Sequence, residues 1–202
     1  MDKTHWDNRY ANADLLFGAE PSAPLRAIRP KLPSGGRALC VADGEGRNSV
    51  WLAQEGFDVT AFDFSDIAVD KARDMARAAG VTVDYNVADV ESWDWDAKPY
   101  DLVAAVFVQF VKAGAQARLF SGLIRAVAPG GTLYLLGYQP EQVGRGTGGP
   151  PDVDHMYTEQ LLRQAFDTLE IVHISDWEED LSEGEAHKGP SALIEMLARK
   201  PA

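Results

Sequence analysis

The chain has one cysteine, Cys40, in 202 residues. It can make no internal disulfide, so nothing marks the chain as secreted. Its place inside an apolar run reads as a small buried hydrophobe rather than a reactive thiol. No apolar run approaches the ~18 residues of a membrane span, and the opening "MDKTHWDNRY" lacks the apolar core of a signal peptide. A cytoplasmic protein with no membrane partner is the simplest reading. Positive charge is scarce: 19 Lys and Arg face 31 Asp and Glu, for a formal net charge of -12. That argues against a general nucleic-acid binder, which needs a basic face to neutralise phosphates. There is no internal repeat. His5, His155 and His173 show no metal-ligand spacing, so no metal site is expected.

What is present is an alternation of short apolar runs with helical patterns. Strands are expected at 37–43, 57–63, 81–85, 100–108 and 132–138, with two more at about 168–177 and 190–199. Helices are expected over 46–56, from the Ser65 cap to Gly80, on the stripe Phe120, Leu123, Ile124 and Val127, and near 158–166. The segment "PGG" (129–131) reads as the turn into the fifth strand. Alternating strand and helix implies a parallel sheet with helices on both faces. Only the loop "EEDLSEGEAHKG" separates the last two strands, which points to an antiparallel edge. The fold class is therefore α/β: a Rossmann-like, doubly wound, mostly parallel seven-stranded sheet with an antiparallel edge strand, in one domain over 1–202.

The first strand runs into "CVADGEGRNSVWLA" (40–53), where two glycines and two acids occupy a strand-to-helix bend. Glycines there let a ligand approach bare backbone, yet Asp43 and Glu45 would repel a phosphate. An ammonium or sulfonium suits them better. Asp63 closes the second strand, where an acid can accept both hydroxyls of a ribose. Asp89, after the third strand, could accept from an adenine amino group, or is a plain loop acid. Adenine, ribose, ammonium and sulfonium together describe S-adenosylmethionine.

With "HWDNRY…FGAEPS" (5–22), "ADGEGRNSVWLA" (42–53), "VTAFDFS" (59–65), "VADV" (87–90), "YDLVAAVF" (100–107) and "APGGTLYLLGY" (128–138), the chain resembles the class I S-adenosylmethionine-dependent methyltransferases, and most of all the tellurite-resistance and thiopurine methyltransferase-like branch. It departs from the family's first motif at Cys40, where an acid is usual, and at Ala42, where glycine is usual; an acid appears instead at Asp43. The resemblance implies that Asp43, Gly44, Gly46, Arg47 and Asn48 surround the methionine part of S-adenosylmethionine. It implies that Asp63 holds the ribose, Phe64 lies against the adenine, Asp89 and Val90 meet the adenine edge, and Val106 lies near the sulfonium. The product would be S-adenosylhomocysteine. Residues 37–138 would form the cofactor-binding core and 1–30 a lid and helix, with 139–157 and 178–189 as acceptor-side loops.

Acceptor contacts are then expected from Tyr10, Gln109, Tyr138 and His187. An imidazole in the last loop could act as a base near neutral pH, or His187 only orders its turn. With no acid-base pair evident, the acceptor is expected to be a small molecule with a soft nucleophile, a thiol or a selenium or tellurium species. Two other readings stay open: a nicotinamide-dependent oxidoreductase, since Gly44 to Ser49 nearly fits G-x-G-x-x-G, and a noncatalytic S-adenosylmethionine-binding protein. Neither the acceptor's identity nor the oligomeric state is written in the sequence.

Overall fold

Residues 38–41 are apolar at successive positions, which suits a strand covered on both faces. The computed structural model describes residues 3–111 and 113–202, so the first two residues of the expected lid and Lys112 lie outside the described residues. Seven strands form one sheet: β1 (Gly36–Val41), β2 (Phe57–Asp63), β3 (Val83–Val87), β4 (Tyr100–Val106), β5 (Val127–Tyr138), β6 (Glu170–Glu183) and β7 (His187–Arg199). Their order is β3-β2-β1-β4-β5-β7-β6. The first five pair in parallel, and β7 runs antiparallel to both β5 and β6. The antiparallel edge is thus made by a reversed strand one place in, with β6 outermost.

Alternate residues of β1 serve two cores. Leu39 and Val41 pack with Val103, Ala105 and Leu133 on one face, while Ala38 and Cys40 pack with Leu102, Ala104 and Tyr134 on the other. Cys40 is buried, and burial pushes its thiol well above the usual range. The helices are α1 (Lys3–Ala11), α2 (Ala23–Ala27), α3 (Arg47–Gln54), α4 (Asp66–Ala79), α5 (Ala113–Ala126) and α6 (Glu159–Ala165). The Ser65 hydroxyl accepts from the Ala68 amide to start α4, and left-handed Gly80 ends it. Among the described residues no helix is long and apolar enough to cross a membrane.

Two expectations need correction. Val127 is not on α5 but begins β5, opposite Tyr100, and the "PGG" segment is an irregularity inside that strand rather than a turn before it. Tyr100 pairs with Val127 and Leu102 with Thr132, so the extra residues bulge. Residues 178–189 are not a loop either. They complete β6 and β7, joined by a turn at 184–186. The acids hid this strand. Glu178, Glu179 and Asp180 face solvent on an edge, where charge blocks further pairing, while Leu181 and Glu183 point inward and are buried.

The register has a consequence for function. Tyr138, the last residue of β5, pairs with Leu193, so residues 187–192 pair with β6 alone. The hairpin therefore overhangs the carboxyl ends of the parallel strands by ~20 Å. Strand order reverses between β1 and β4, which is where α/β sheets bind ligands.

The bend after β1 is tightly constrained. Ala42 sits at φ 48, a left-handed conformation that strains any side chain. Gly46, at φ 93, lies so near α4 that an added Cβ would stand 2.8 Å from the Ala72 Cβ. Replacing Ala42 by Gly should stabilise the protein by about 0.5–1 kcal/mol, as relief of strain exceeds the added unfolded-state entropy. Gly46→Ala should destabilise it by about 2–4 kcal/mol through strain and overpacking. Urea unfolding of the two variants checks both signs.

Candidate active site

Beneath the overhanging hairpin, at the ends of β1 and β4, lies a cleft of about 1080 Å³ including its open mouth. Its floor is the apolar end of the central strands, including Cys40, Ala104 and Val106. Its walls are the glycine loop, the aromatic N-terminal segment, the loop at 148–150 and the tip of the hairpin.

The glycine loop presents one acid to the cleft. Asp43 lines it half-buried, and its Oδ2 is buried with no hydrogen-bond partner among the described residues. Burial pushes this carboxyl up to about 7; Ser49 and Arg47 oppose the rise and the nearby charge of Asp63 adds to it. Asp63 is 4% exposed and accepts from the Gly44 amide at 3.0 Å and the Ser65 amide at 2.9 Å. Burial raises it to about 6 against those amides. A buried carboxylate oxygen without a donor costs free energy, so the site is shaped for a cationic or hydroxyl-bearing ligand. Phe64 and Phe110 also line the cleft, with rings 6.4 Å apart and only 9° from parallel.

Glu45, expected beside Asp43, turns away. Its carboxylate accepts from the Leu16 amide at 2.7 Å and from Lys71 Nζ at 3.0 Å. Lys71 also donates to the carbonyls of Tyr10 and Ala13 at 2.6 Å each and of Asp14 at 3.0 Å. This acid therefore anchors the N-terminal segment. Arg47 and Asn48 line the cleft and also brace its walls: Arg47 pairs with Glu183 at 2.7 Å and donates to the Phe17 carbonyl at 3.1 Å, and the Asn48 carbonyl oxygen accepts from the Ser22 amide. Gly46 does not line the cleft and serves helix packing instead.

The expected adenine-edge pair is also displaced. Asp89 is exposed and its carboxylate accepts from the Glu91 amide two residues on, while Val90 is buried in the core with Trp95. Neither lines the cleft. A short loop after β3 satisfies its own backbone first, which the sequence pattern does not reveal.

At the far end, Tyr138 and His187 come together with Phe107 and Phe17. The His187 ring lies 4.3 Å from Phe107, 4.6 Å from Phe17 and 5.7 Å from Tyr138. Burial lowers the His187 pKa, with Glu183 acting against it, so the imidazole is neutral at pH 7. Its Nδ1 stands 3.9 Å from Glu183 Oε2, too far for a hydrogen bond. Burial would raise Glu183, but His187, Arg47 and the Ala23 amide outweigh it and hold the carboxyl at about 2. The Tyr138 hydroxyl is buried without a partner among the described residues, and burial raises its pKa, which keeps it a donor. Gly148 makes this possible, since a Cβ there would stand 2.4 Å from that hydroxyl. Gln109 lines the cleft, but its amide donates to the Tyr138 and His155 carbonyls, so it braces the strand end rather than offering a free group. Tyr10 closes the opposite side; a Cβ on Gly44 would stand 3.0 Å from its hydroxyl.

Sequence reasoning missed Glu183 and Phe107. Alternation of buried Leu181 and Glu183 was the available signal for Glu183. Phe107 left none: it holds φ 56, a genuine outlier for an aromatic residue and the kind of strain that gathers at functional sites. Among the described residues no group of three or more His, Cys, Asp or Glu is arranged to hold a metal ion.

Comparison with known proteins bears on this geometry. Residues 38–131 match a family described as "Methyltransferase domain". A trans-aconitate 2-methyltransferase of Streptomyces coelicolor is 36% identical over 136 residues, covering 64% of this chain and 44% of that protein. A thiopurine S-methyltransferase of Bordetella petrii is 30% identical over 128 residues, covering 59% of this chain and 58% of that one. The chain spans about half the length of the curated relatives it matches. A solved structure concerned with conversion of a disulfide bond into a thioacetal group during echinomycin biosynthesis superposes with a TM-score of 0.79 at 19% identity, over 99% of this chain and 93% of that one; at that identity it shows the fold alone. Domain match and superposition agree with the sheet order and the switch-point cleft: the chain carries the class I S-adenosylmethionine-dependent methyltransferase fold.

Proposed function

We propose that this protein is an S-adenosylmethionine-dependent methyltransferase acting in the cytoplasm on a small-molecule acceptor, through a soft nucleophile such as a thiol or a selenium or tellurium species, in the manner of the tellurite-resistance and thiopurine methyltransferase-like branch. The observation that carries the cofactor reading is the pair of buried carboxylates at the ends of β1 and β2, one with an unpartnered oxygen. In this pose Asp43 takes the ammonium, the Gly44 backbone follows the methionine chain, Asp63 accepts from the ribose hydroxyls, and Val106 lies beneath the sulfonium. Phe64 and Phe110 flank the adenine; their 6.4 Å spacing is close to the ~7 Å that a third ring between them needs. A pyrophosphate in the same bend would meet Asp43, which weighs against the nicotinamide alternative.

When bound, S-adenosylmethionine supplies an electrophilic methyl group whose carbon–sulfur bond breaks, both electrons staying on sulfur, as the acceptor's lone pair bonds to carbon. The chain's own part is alignment and exclusion of water. Phe17, Phe107 and Tyr138 wall the acceptor end, and neutral His187 is the candidate proton acceptor for a nucleophile that arrives protonated. A thiolate needs no such help. The sulfur acceptor is supported by the likeness to the thiopurine S-methyltransferase.

Calorimetry with S-adenosylmethionine, S-adenosylhomocysteine and NAD tests the cofactor, and a methyl-transfer screen over thiols, selenite, tellurite, thiopurines and halides tests the acceptor. Binding of NAD in preference to S-adenosylhomocysteine would falsify the proposal. Asp63→Ala should weaken S-adenosylhomocysteine by ~1–3 kcal/mol. The pH dependence has a definite sign. Asp43 and Asp63 titrate in the fold at about 7 and about 6, above the ~3.9 of an unfolded Asp. The stability their protonation contributes is thus complete below ~pH 4 and is lost as pH rises through 6 and 7. A ligand ammonium favours ionised Asp43, so S-adenosylhomocysteine affinity should climb up to ~tenfold per pH unit through that window and level off above it. Asp43→Asn should remove the upper part of the climb.

A further inference from the structure

Two buried polar atoms at the far end of the cleft stand close together without a hydrogen bond. His187 lines the cleft and is 6% exposed, and Glu183, across the hairpin turn, is 8% exposed. The His187 Nδ1 and the Glu183 Oε2 are 3.9 Å apart, and neither has a hydrogen-bond partner among the described residues. Glu183 gives its other oxygen to the Ala23 amide at 2.8 Å and pairs with Arg47 at 2.7 Å, which keeps it ionised. The imidazole packs against Phe17 and Phe107, the second held in its strained conformation at φ 56.

A carboxylate only accepts. A lone pair on Nδ1 would meet the lone pairs of Glu183, so the ring proton belongs on Nδ1, the reverse of the tautomer that free histidine prefers in water. Nδ1 is also sealed from solvent. The ring therefore meets the cleft with its other edge, where Nε2 carries the lone pair. A turn of the ring closes the 3.9 Å gap, as such bonds tighten when substrate binds. The charges around the ring oppose one another: Arg47 of α3 and Arg9 of α1 disfavour a second proton, Glu183 of β6 favours it, and Tyr138 of β5 stays neutral. An imidazole titrating below its usual range is matched to a thiol, at ~8.5, far better than to an aliphatic hydroxyl.

We propose that Glu183 is a positioning residue that fixes His187 in the Nδ1–H tautomer, so that Nε2 takes the proton of an acceptor arriving as a neutral thiol of ordinary acidity. This rests on the methyltransferase reading above and narrows its acceptor to one that must lose a proton. In the step, a lone pair of the thiol sulfur bonds to the methyl carbon while the methyl–sulfur bond of S-adenosylmethionine breaks, its electrons staying on that sulfur. The thiol proton passes to Nε2. The imidazolium stands beside Glu183 until it gives the proton to solvent, leaving a thioether, S-adenosylhomocysteine and the neutral ring. Selenite and tellurite attack through an atom that bears no proton and make no use of the pair.

Methyl transfer at pH 7 tests this in the full chain, with 2-mercaptoethanol, which is protonated there, and 4-nitrothiophenol, which is a thiolate. His187→Asn should lose at least about tenfold more rate with the first thiol than with the second, and Glu183→Gln should lose in the same direction. An equal loss with both thiols marks a merely structural role and overturns the proposal. Since Glu183→Gln leaves Arg47 buried without its partner, the part played by Glu183 is also read in the intact protein. Nitrogen-15 spectra of the four histidines, with His187→Asn giving the assignment, should show His187 as the Nδ1–H tautomer; an Nε2–H ring overturns the proposal. Calorimetry with S-adenosylhomocysteine separates the failures. Binding without transfer to either thiol overturns the proposal and the thiol acceptor and leaves the cofactor reading standing. If the intact protein does not bind it, both fall.

Discussion

The buried ion pair between Arg47 and Glu183 ties together parts of the chain that are far apart in sequence. Arg47 opens α3, directly after the glycine loop, and Glu183 ends β6 beneath the hairpin tip. The same carboxylate accepts from the Ala23 amide at the start of α2, and the same guanidinium donates to the Phe17 carbonyl. Three walls of the cleft meet at these two side chains. Removing one partner would leave a buried charge unpaired, a cost of about 3–5 kcal/mol. The pair itself is better understood as fixing where the walls stand than as a large source of stability.

A second layer of backbone bonds rests on that anchor. The Leu16 carbonyl accepts from the Glu185 and Ala186 amides, and its own amide donates to Glu45. The segment at 16–18 is thus stretched between the glycine loop and the hairpin, and it carries Phe17 onto His187. Glu45 and Arg47 hold this strap through their buried side chains, leaving Asp43 and the Gly44 backbone for the ligand. The acidity read from the sequence is divided between two tasks: one carboxylate for the cleft and one for the lid. Burial then does the chemical tuning. It lifts Asp43 and Asp63 to about 7 and about 6, so both carboxyls change charge near neutrality, and it lowers His187, which favours the neutral imidazole.

The comparison of expectation with structure follows a physical divide. Elements covered on both faces were legible. β1 and β4 carry continuous apolar runs at 38–41 and 102–106, β2 is buried at every position but Asp58, and α4 carries both its Ser65 cap and its Gly80 stop. Asp63 could be assigned because a strand end fixes where a side chain points. The hairpin was not legible over 178–183, since an edge strand with one face in solvent is as polar as a loop. Asp89 and Gln109 show a related limit of local reading. Backbone groups nearby need partners: the Glu91 amide takes one oxygen of Asp89, and the Tyr138 and His155 backbone takes the Gln109 amide.

By itself the sequence determined the sheet, its winding and the acids at two strand ends, because periodicity and strand termini are local properties carried by neighbouring residues. Only the tertiary structure decided which charges are free. Glu45 and Arg47 are spent on the lid and the hairpin, Asp43 keeps an unpartnered oxygen, and His187 is caged by Phe17 and Phe107. Those outcomes depend on contacts between residues more than a hundred positions apart, such as Arg47 with Glu183, and on the burial they create. Neither is encoded in any short stretch of chain.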